Sequence, residues 1–129
     1  MKAKRPSAVI GVVDDDESVR MGLTSMLRAE GWSSVAFSSA KELLTDKQRF
    51  KLKLVITDIQ MPDIDGFGLL ASIKLWQRPI PVICITAYVT EEVSGRAAAD
   101  GAAGFFAKPV DDERLLALIA DLLAKGRRS

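Results

Sequence analysis

Apolar residues come in five short runs, separated by longer stretches in which they recur every three or four positions. The runs cover residues 8–13, 34–37, 52–57, 81–85 and 104–107. Each has strand length and is mostly apolar rather than alternating, the pattern of a parallel sheet covered on both faces. Helical spacing follows each run. Residues 17–30 set Val19, Leu23, Met26 and Leu27 on one stripe, and residues 40–45 turn Leu43 and Leu44 inward. A third helix follows Gly66 with Leu69, Leu70 and Ile73 on the core side, and stops before Arg78-Pro79 because proline disfavours helix in the preceding residue. Residues 91–99 form an alanine-rich helix with a thin apolar face, and residues 112–124 present Leu115, Leu116, Ile119, Leu122 and Leu123. Asp16 is the expected N-cap of the first helix, while Gly31 and Gly126 close the first and fifth. The polar stretch 46–51 carries the chain to the third strand. Strands alternating with helices through right-handed crossovers give an α/β fold, a doubly wound five-stranded parallel sheet.

A chain of 129 residues, 48% hydrophobic with a net charge of +1, has one core and no general basic face, so it predicts no direct nucleic acid binding. Lys125, Arg127 and Arg128 form a small basic tail that reads as a solvated helix end or the start of a linker. The single cysteine, Cys84, forms no internal disulfide and lies in an apolar run, where a thiol acts as a small buried hydrophobe. Histidine is absent, which excludes Ser-His-Asp and Cys-His centres, zinc held by imidazole, and a phosphohistidine donor. After the charged start Met1-Lys2-Ala3-Lys4-Arg5-Pro6 no apolar segment is long enough for a signal core or a membrane span, so the expected location is cytoplasmic. Trp32 and Trp76 read as helix-end or surface-packing residues.

Candidate chemistry lies where the strands end, since open parallel sheets bind ligands beyond the carboxyl ends of their strands. The first strand delivers Asp14-Asp15-Asp16, the third Asp58, the fourth Thr86, and the fifth is followed by Lys108-Pro109. Gathered carboxylates raise one another's pKa unless neutralised, and a hard divalent ion such as Mg2+ removes that cost. The acidic triplet could instead cap a helix, but capping does not call for a carboxylate on another strand. If Asp16 caps, Asp14 and Asp15 are left for the metal. Asp63 and Asp65 read as turn and N-cap residues without chemistry. Taken alone, Thr86 would be an ordinary strand end, Lys108 a solvated lysine and Phe105 a core residue.

Four segments together resemble the receiver domain of two-component response regulators: Val12-Val13-Asp14-Asp15-Asp16, Asp58-Ile59-Gln60-Met61-Pro62-Asp63-Ile64-Asp65-Gly66, Ile83-Cys84-Ile85-Thr86-Ala87 and Phe105-Phe106-Ala107-Lys108-Pro109. The resemblance spans residues 8–125, with tails at 1–7 and 126–129. It implies a flavodoxin-like sheet in the order 2-1-3-4-5. It also implies a signalling domain that catalyses only its own phosphorylation and dephosphorylation, with Asp58 taking a phosphoryl group from a histidine kinase or phosphotransfer protein. Mg2+ would be bound directly by Asp15 and Asp58, largely through water by Asp14, and by the backbone carbonyl of Gln60. Lys108, aimed by a cis peptide to Pro109, would pair with one phosphoryl oxygen and Thr86 would donate to another. Phe105 would be the aromatic switch, read out on the fourth-helix, fifth-strand and fifth-helix face. Gln60 and Tyr88 flank the route of hydrolytic water and tune phosphoryl lifetime, with the bulk of Tyr88 favouring a long one. Expected partners are a downstream effector or a DNA-binding output domain controlling transcription, and a phosphorylation-dependent homodimer. Lys125-Gly126-Arg127-Arg128-Ser129 stops where a linker would start, which fits either a stand-alone receiver or part of a longer chain.

Two other classes compete. A small hydrolase turning over a phosphoaspartyl intermediate would normally require a general acid close to its nucleophile and a cap or cleft; a carboxylate two positions on would suit that role, but Gln60 stands there and no residues are left for a cap. A degenerate receiver that is never phosphorylated would not need the full set of acids, hydroxyl and lysine.

Overall fold

Every second residue of the central strands faces one side of the sheet, and both sides are dry. Ile10, Val12, Leu54, Ile56, Ile83 and Ile85 are fully buried on one face, as are Val13, Val55 and Cys84 on the other. The structure, a computed structural model, describes residues 9–128. The expected tail 1–7, the strand start at Ala8 and the terminal Ser129 lie outside the described residues.

The elements run in the order β1 (Val9–Val13), α1 (Glu17–Ala29), β2 (Ser33–Phe37), α2 (Ala40–Leu44), a 3-10 turn (Arg49–Lys51), β3 (Leu54–Asp58), α3 (Gly66–Lys74), β4 (Val82–Thr86), α4 (Glu91–Ala99), β5 (Gly104–Ala107) and α5 (Asp112–Arg128). All strand pairs are parallel and the sheet order is β2-β1-β3-β4-β5, as the resemblance implies. On one face, Leu23 and Leu27 of α1 and Leu115 and Ile119 of α5 close over the isoleucines. On the other, Leu43 of α2, Phe67, Leu69, Leu70 and Ile73 of α3 and Ala97 of α4 pack on Val13, Val55 and Cys84. Each such aliphatic side chain removed from water contributes about 1.5–3 kcal/mol. Among the described residues no helix is long and apolar enough to cross a membrane.

Two sequence expectations change. Gly126 does not end α5, which continues to Arg128: a helical glycine costs about 1 kcal/mol relative to alanine, too little to stop a helix anchored by Leu115 and Ile119. Trp32 is only 4% exposed and belongs to the core between α1 and the sheet. Gly31, at φ 89°, turns the chain so that the indole folds back under the helix it follows. As expected, α3 stops before Arg78-Pro79: it ends at Lys74, where the Leu75 and Trp76 amides donate to the Ser72 and Ile73 carbonyls in a tightened last turn.

Candidate functional site

Register brings the candidate residues together. Val13 lies opposite Thr57, so the next residues, Asp14 and Asp58, leave neighbouring strands at the same level. Asp58 pairs with Ile85 and Thr86 with Ala107, so Thr86 and Lys108 follow at the same rim, where the Lys108 amide donates to the Thr86 carbonyl at 2.8 Å. Asp14 and Thr86 are fully buried, and Asp58 is 5% exposed. The Lys108-Pro109 peptide is cis, as expected.

The acidic triplet divides its work. Asp16 caps α1, its carboxylate accepting from the Ser18 hydroxyl at 2.7 Å and from the amides of Ser18 and Val19. The Ser18 hydroxyl, with those two amides, holds the Asp16 carboxyl below the usual carboxylate range. Asp14 accepts from the Asp16 amide at 2.9 Å on one oxygen and from Lys108 Nζ at 2.9 Å on the other. Arg20 donates to the Asp14 carbonyl at 2.6 Å. Asp15 stays exposed.

Carboxylate oxygens of Asp14, Asp15 and Asp58 all lie within 4.8 Å of one another. Oxygens bound to one Mg2+ at about 2.1 Å are at most about 4.2 Å apart, so small side-chain adjustments, or one water-bridged ligand, bring this donor set onto a single ion. Lys108 Nζ reaches Asp58 as well, at 3.5 Å. Among the described residues, one ammonium pairs with these three carboxylates, an excess of negative charge that a divalent cation neutralises. Burial pushes the Asp58 carboxyl above its ordinary pKa, the Asp14 charge adds to this, and Lys108 offsets part of it. Burial alone would lower the Lys108 ammonium. Its hydrogen bond to Asp14 and the two carboxylate charges outweigh that and hold it above the usual lysine range.

The hydroxyl of Thr86 points at Gln60, donating to Oε1 at 3.2 Å while accepting from the Tyr88 amide at 3.1 Å. The sequence pattern assigns Gln60 only a carbonyl and a place near the water route; its side-chain contact with Thr86 depends on which loops meet across the rim. Tyr88 joins the site through its backbone, and its side chain is 67% exposed. Phe105 is half-buried against the cluster that contains Ala97 of α4, while Phe106 packs on the opposite face. Gly66 is a further site residue whose role the pattern missed. Its amide donates to the Ile59 carbonyl at 2.8 Å, and a Cβ there would stand 2.5 Å from the Asp58 carbonyl oxygen and 2.8 Å from the Ile59 Cα. Glycine therefore lets α3 approach the strand end that carries Asp58.

The match to known proteins is extensive. The family model for the response regulator receiver domain covers residues 10–120. The response regulator protein TodT of Pseudomonas putida is 35% identical over 125 residues, which are 95% of this chain and 55% of that protein. The transcriptional regulatory protein FixJ of Bradyrhizobium diazoefficiens is 33% identical over 117 residues, 91% of this chain and 57% of that protein. The chain thus spans about half the length of these relatives. Among solved structures, a response regulator receiver domain protein from Clostridium thermocellum superposes with a TM-score of 0.84 at 26% identity, covering 93% of this chain and 97% of that one.

Proposed function

This chain belongs to the response regulator receiver domain family, and from that premise we propose that it is a phosphorylation switch whose acceptor is Asp58. One observation carries the proposal: the three carboxylates lie within 4.8 Å of one another beside the Lys108 ammonium, 2.9 Å from Asp14 and 3.5 Å from Asp58. A helix cap or a surface ion pair has no use for such a cluster.

An Asp58 carboxylate oxygen attacks the phosphorus of a phosphohistidine on a partner kinase or phosphotransfer protein. The phosphorus–nitrogen bond breaks, the imidazole leaves with its electron pair and takes a proton, and a mixed anhydride remains on Asp58. Asp14, Asp15, Asp58 and the carbonyl of Gln60 would hold Mg2+, which supplies charge neutralisation and a template for the phosphoryl oxygens. Lys108, kept protonated by its carboxylate neighbours, provides a fixed positive charge on one side of the incoming group. Because Asp58 is 5% exposed, little bulk water competes at the acceptor.

Thr86 converts this chemistry into a change of shape. In the resting arrangement its hydroxyl is committed to Gln60. A neutral bond of that kind contributes about 0.5–1.5 kcal/mol, whereas one to a charged phosphoryl oxygen contributes about 1.5–3 kcal/mol, so phosphorylation favours the exchange. Thr86 also accepts from the Tyr88 amide, so its movement draws the loop before α4 inward. Phe105, on the α4 side of β5, turns into the space released. Moving a two-state equilibrium from about 1:99 to 99:1 needs roughly 5.5 kcal/mol, which two or three charge-assisted contacts from Thr86, Lys108 and the metal supply. The face of α4, β5 and α5 would carry the signal to an effector or DNA-binding output domain controlling transcription in the cytoplasm, or to a second phosphorylated copy.

Acetyl phosphate with Mg2+ tests the chemistry. Intact-mass analysis is expected to show one phosphoryl adduct that is absent without Mg2+ and absent in Asp58→Asn. Continuous hydrolysis of the donor without an adduct would establish the hydrolase instead, and neither adduct nor hydrolysis would establish a receiver that is never phosphorylated.

A further inference from the structure

At the end of the sheet opposite the carboxylates, ahead of β3 and β4, Phe50, Leu52, Leu75, Trp76 and Ile80 line a groove of about 450 Å3 together with Arg78. Leu75 is 87% exposed and Phe50 62%, and α3 and β4 are positioned without either side chain entering the core. A phosphorylation site at the far rim has no use for this surface. Its charge is one-sided. Arg78 lines it, and the Arg49 guanidinium lies over the ring of Phe50. Among the described residues no acidic side chain lines the groove.

We propose that this groove docks an acidic protein segment, an amphipathic helix that seats leucine or aromatic anchors between Phe50, Leu75 and Trp76 and sets aspartates and glutamates against Arg49 and Arg78. Charge selects that occupant over the alternatives. A second copy in an isologous contact would bring the same cations face to face, and the chain's own start carries Lys2, Lys4 and Arg5, also of the wrong sign. Nucleic acid would need free ring faces on which bases stack. Here the Arg49 guanidinium lies 4.3 Å over the Phe50 ring, and Trp76 meets Phe50 edge to face at 5.1 Å, so these rings are committed to each other and to the arginine. Leu75 and Ile80 add an aliphatic surface beside them, which suits a helix face. The docking does not depend on phosphorylation of Asp58.

A random-peptide display library selected on the wild-type chain and counter-selected on Leu75→Asp tests it. Recovered peptides are expected to carry Asp or Glu flanking Leu, Phe or Trp, and a synthetic copy is expected to shift the Trp76 indole signal but not that of buried Trp32. Arg78→Glu is expected to weaken that peptide about tenfold, with unchanged melting temperature. If Leu75→Asp fails to fold, Phe50→Ser replaces it as the counter-selector. Four results would overturn the proposal: recovered peptides without acidic residues, binding indifferent to Arg78→Glu, an oligothymidine that shifts Trp76 where the acidic peptide does not, or self-association of the wild type that the counter-selecting variant abolishes.

Discussion

Asp58 holds a charge that its surroundings disfavour. Its carboxyl is pushed up mainly by burial and then by Asp14, so its contribution to stability is fully present below the ordinary carboxylate value of 3.8 and is lost as the pH rises through the elevated folded-state value. Replacing it with the uncharged isostere removes that loss. Asp58→Asn is therefore expected to melt higher than wild type at pH 7 without Mg2+, with the gap closing as the pH falls toward 4, measured by thermal denaturation across pH. Lys108→Met should act in the opposite direction. It strips the buried Asp14 of its 2.9 Å charged partner and is expected to cost about 2–3 kcal/mol in urea titrations without Mg2+, with millimolar Mg2+ restoring part of it. Tyr88→Ala should speed loss of the phosphoryl group in an autodephosphorylation assay if the ring screens Asp58, and an unchanged half-life would remove Tyr88 from the rate-tuning set. That Asp14, Asp58, Thr86 and Lys108 would meet at one rim was legible because each stands at or just beyond a strand end. Their resting partners were not. No pattern says that Lys108 would take Asp14 rather than wait for phosphate, or that the Gln60 side chain would hold Thr86, because both contacts join loops from separate parts of the chain.

Among the elements, β1, β3 and β4 were readable because a central parallel strand is covered on both faces and so reads as a nearly continuous apolar run. Boundaries moved by a residue or two, as when β3 starts at Leu54 rather than Leu52 and β4 takes in Thr86. Glycine signals were read less well, since one residue type serves several ends. Gly31 does close its helix at positive φ, whereas Gly126 sits inside α5 with open space where a Cβ would go. Gly126→Ala should thus stabilise the chain by about 0.5 kcal/mol, while the same change would destabilise it if Gly126 were a left-handed cap; chemical denaturation gives the sign. Gly66→Ala should do the reverse. The Asp58 carbonyl and Ile59 Cα in its way are backbone atoms, and displacing them is expected to cost about 1–3 kcal/mol and to slow phosphorylation with it. Trp32 was misplaced because a lone tryptophan beyond a helix end has no periodic neighbours to show which way it turns.

For the whole molecule, the sheet carries two surfaces at opposite ends: a rim of carboxylates at the strand carboxyl ends and an aromatic groove lined by Arg78 at the other. The rim can influence a partner only through elements that have two arrangements, and in the proposed switch the loop from Thr86 through α4 to Phe105 links Asp58 to the face of α4, β5 and α5. The central claim is that one phosphoryl group at Asp58 captures Thr86 and Lys108 and thereby changes this side of the domain. Two-dimensional amide NMR of the wild-type chain, recorded before and after acetyl phosphate is added in the presence of Mg2+, tests that most directly. Large shifts are expected at Thr86, Tyr88, Phe105, Lys108 and along α4, reverting as the phosphoryl group is lost and absent in Asp58→Asn. A phosphorylated protein whose shifts stop at Asp58 and its immediate neighbours, with Thr86 and Phe105 unmoved, would contradict it.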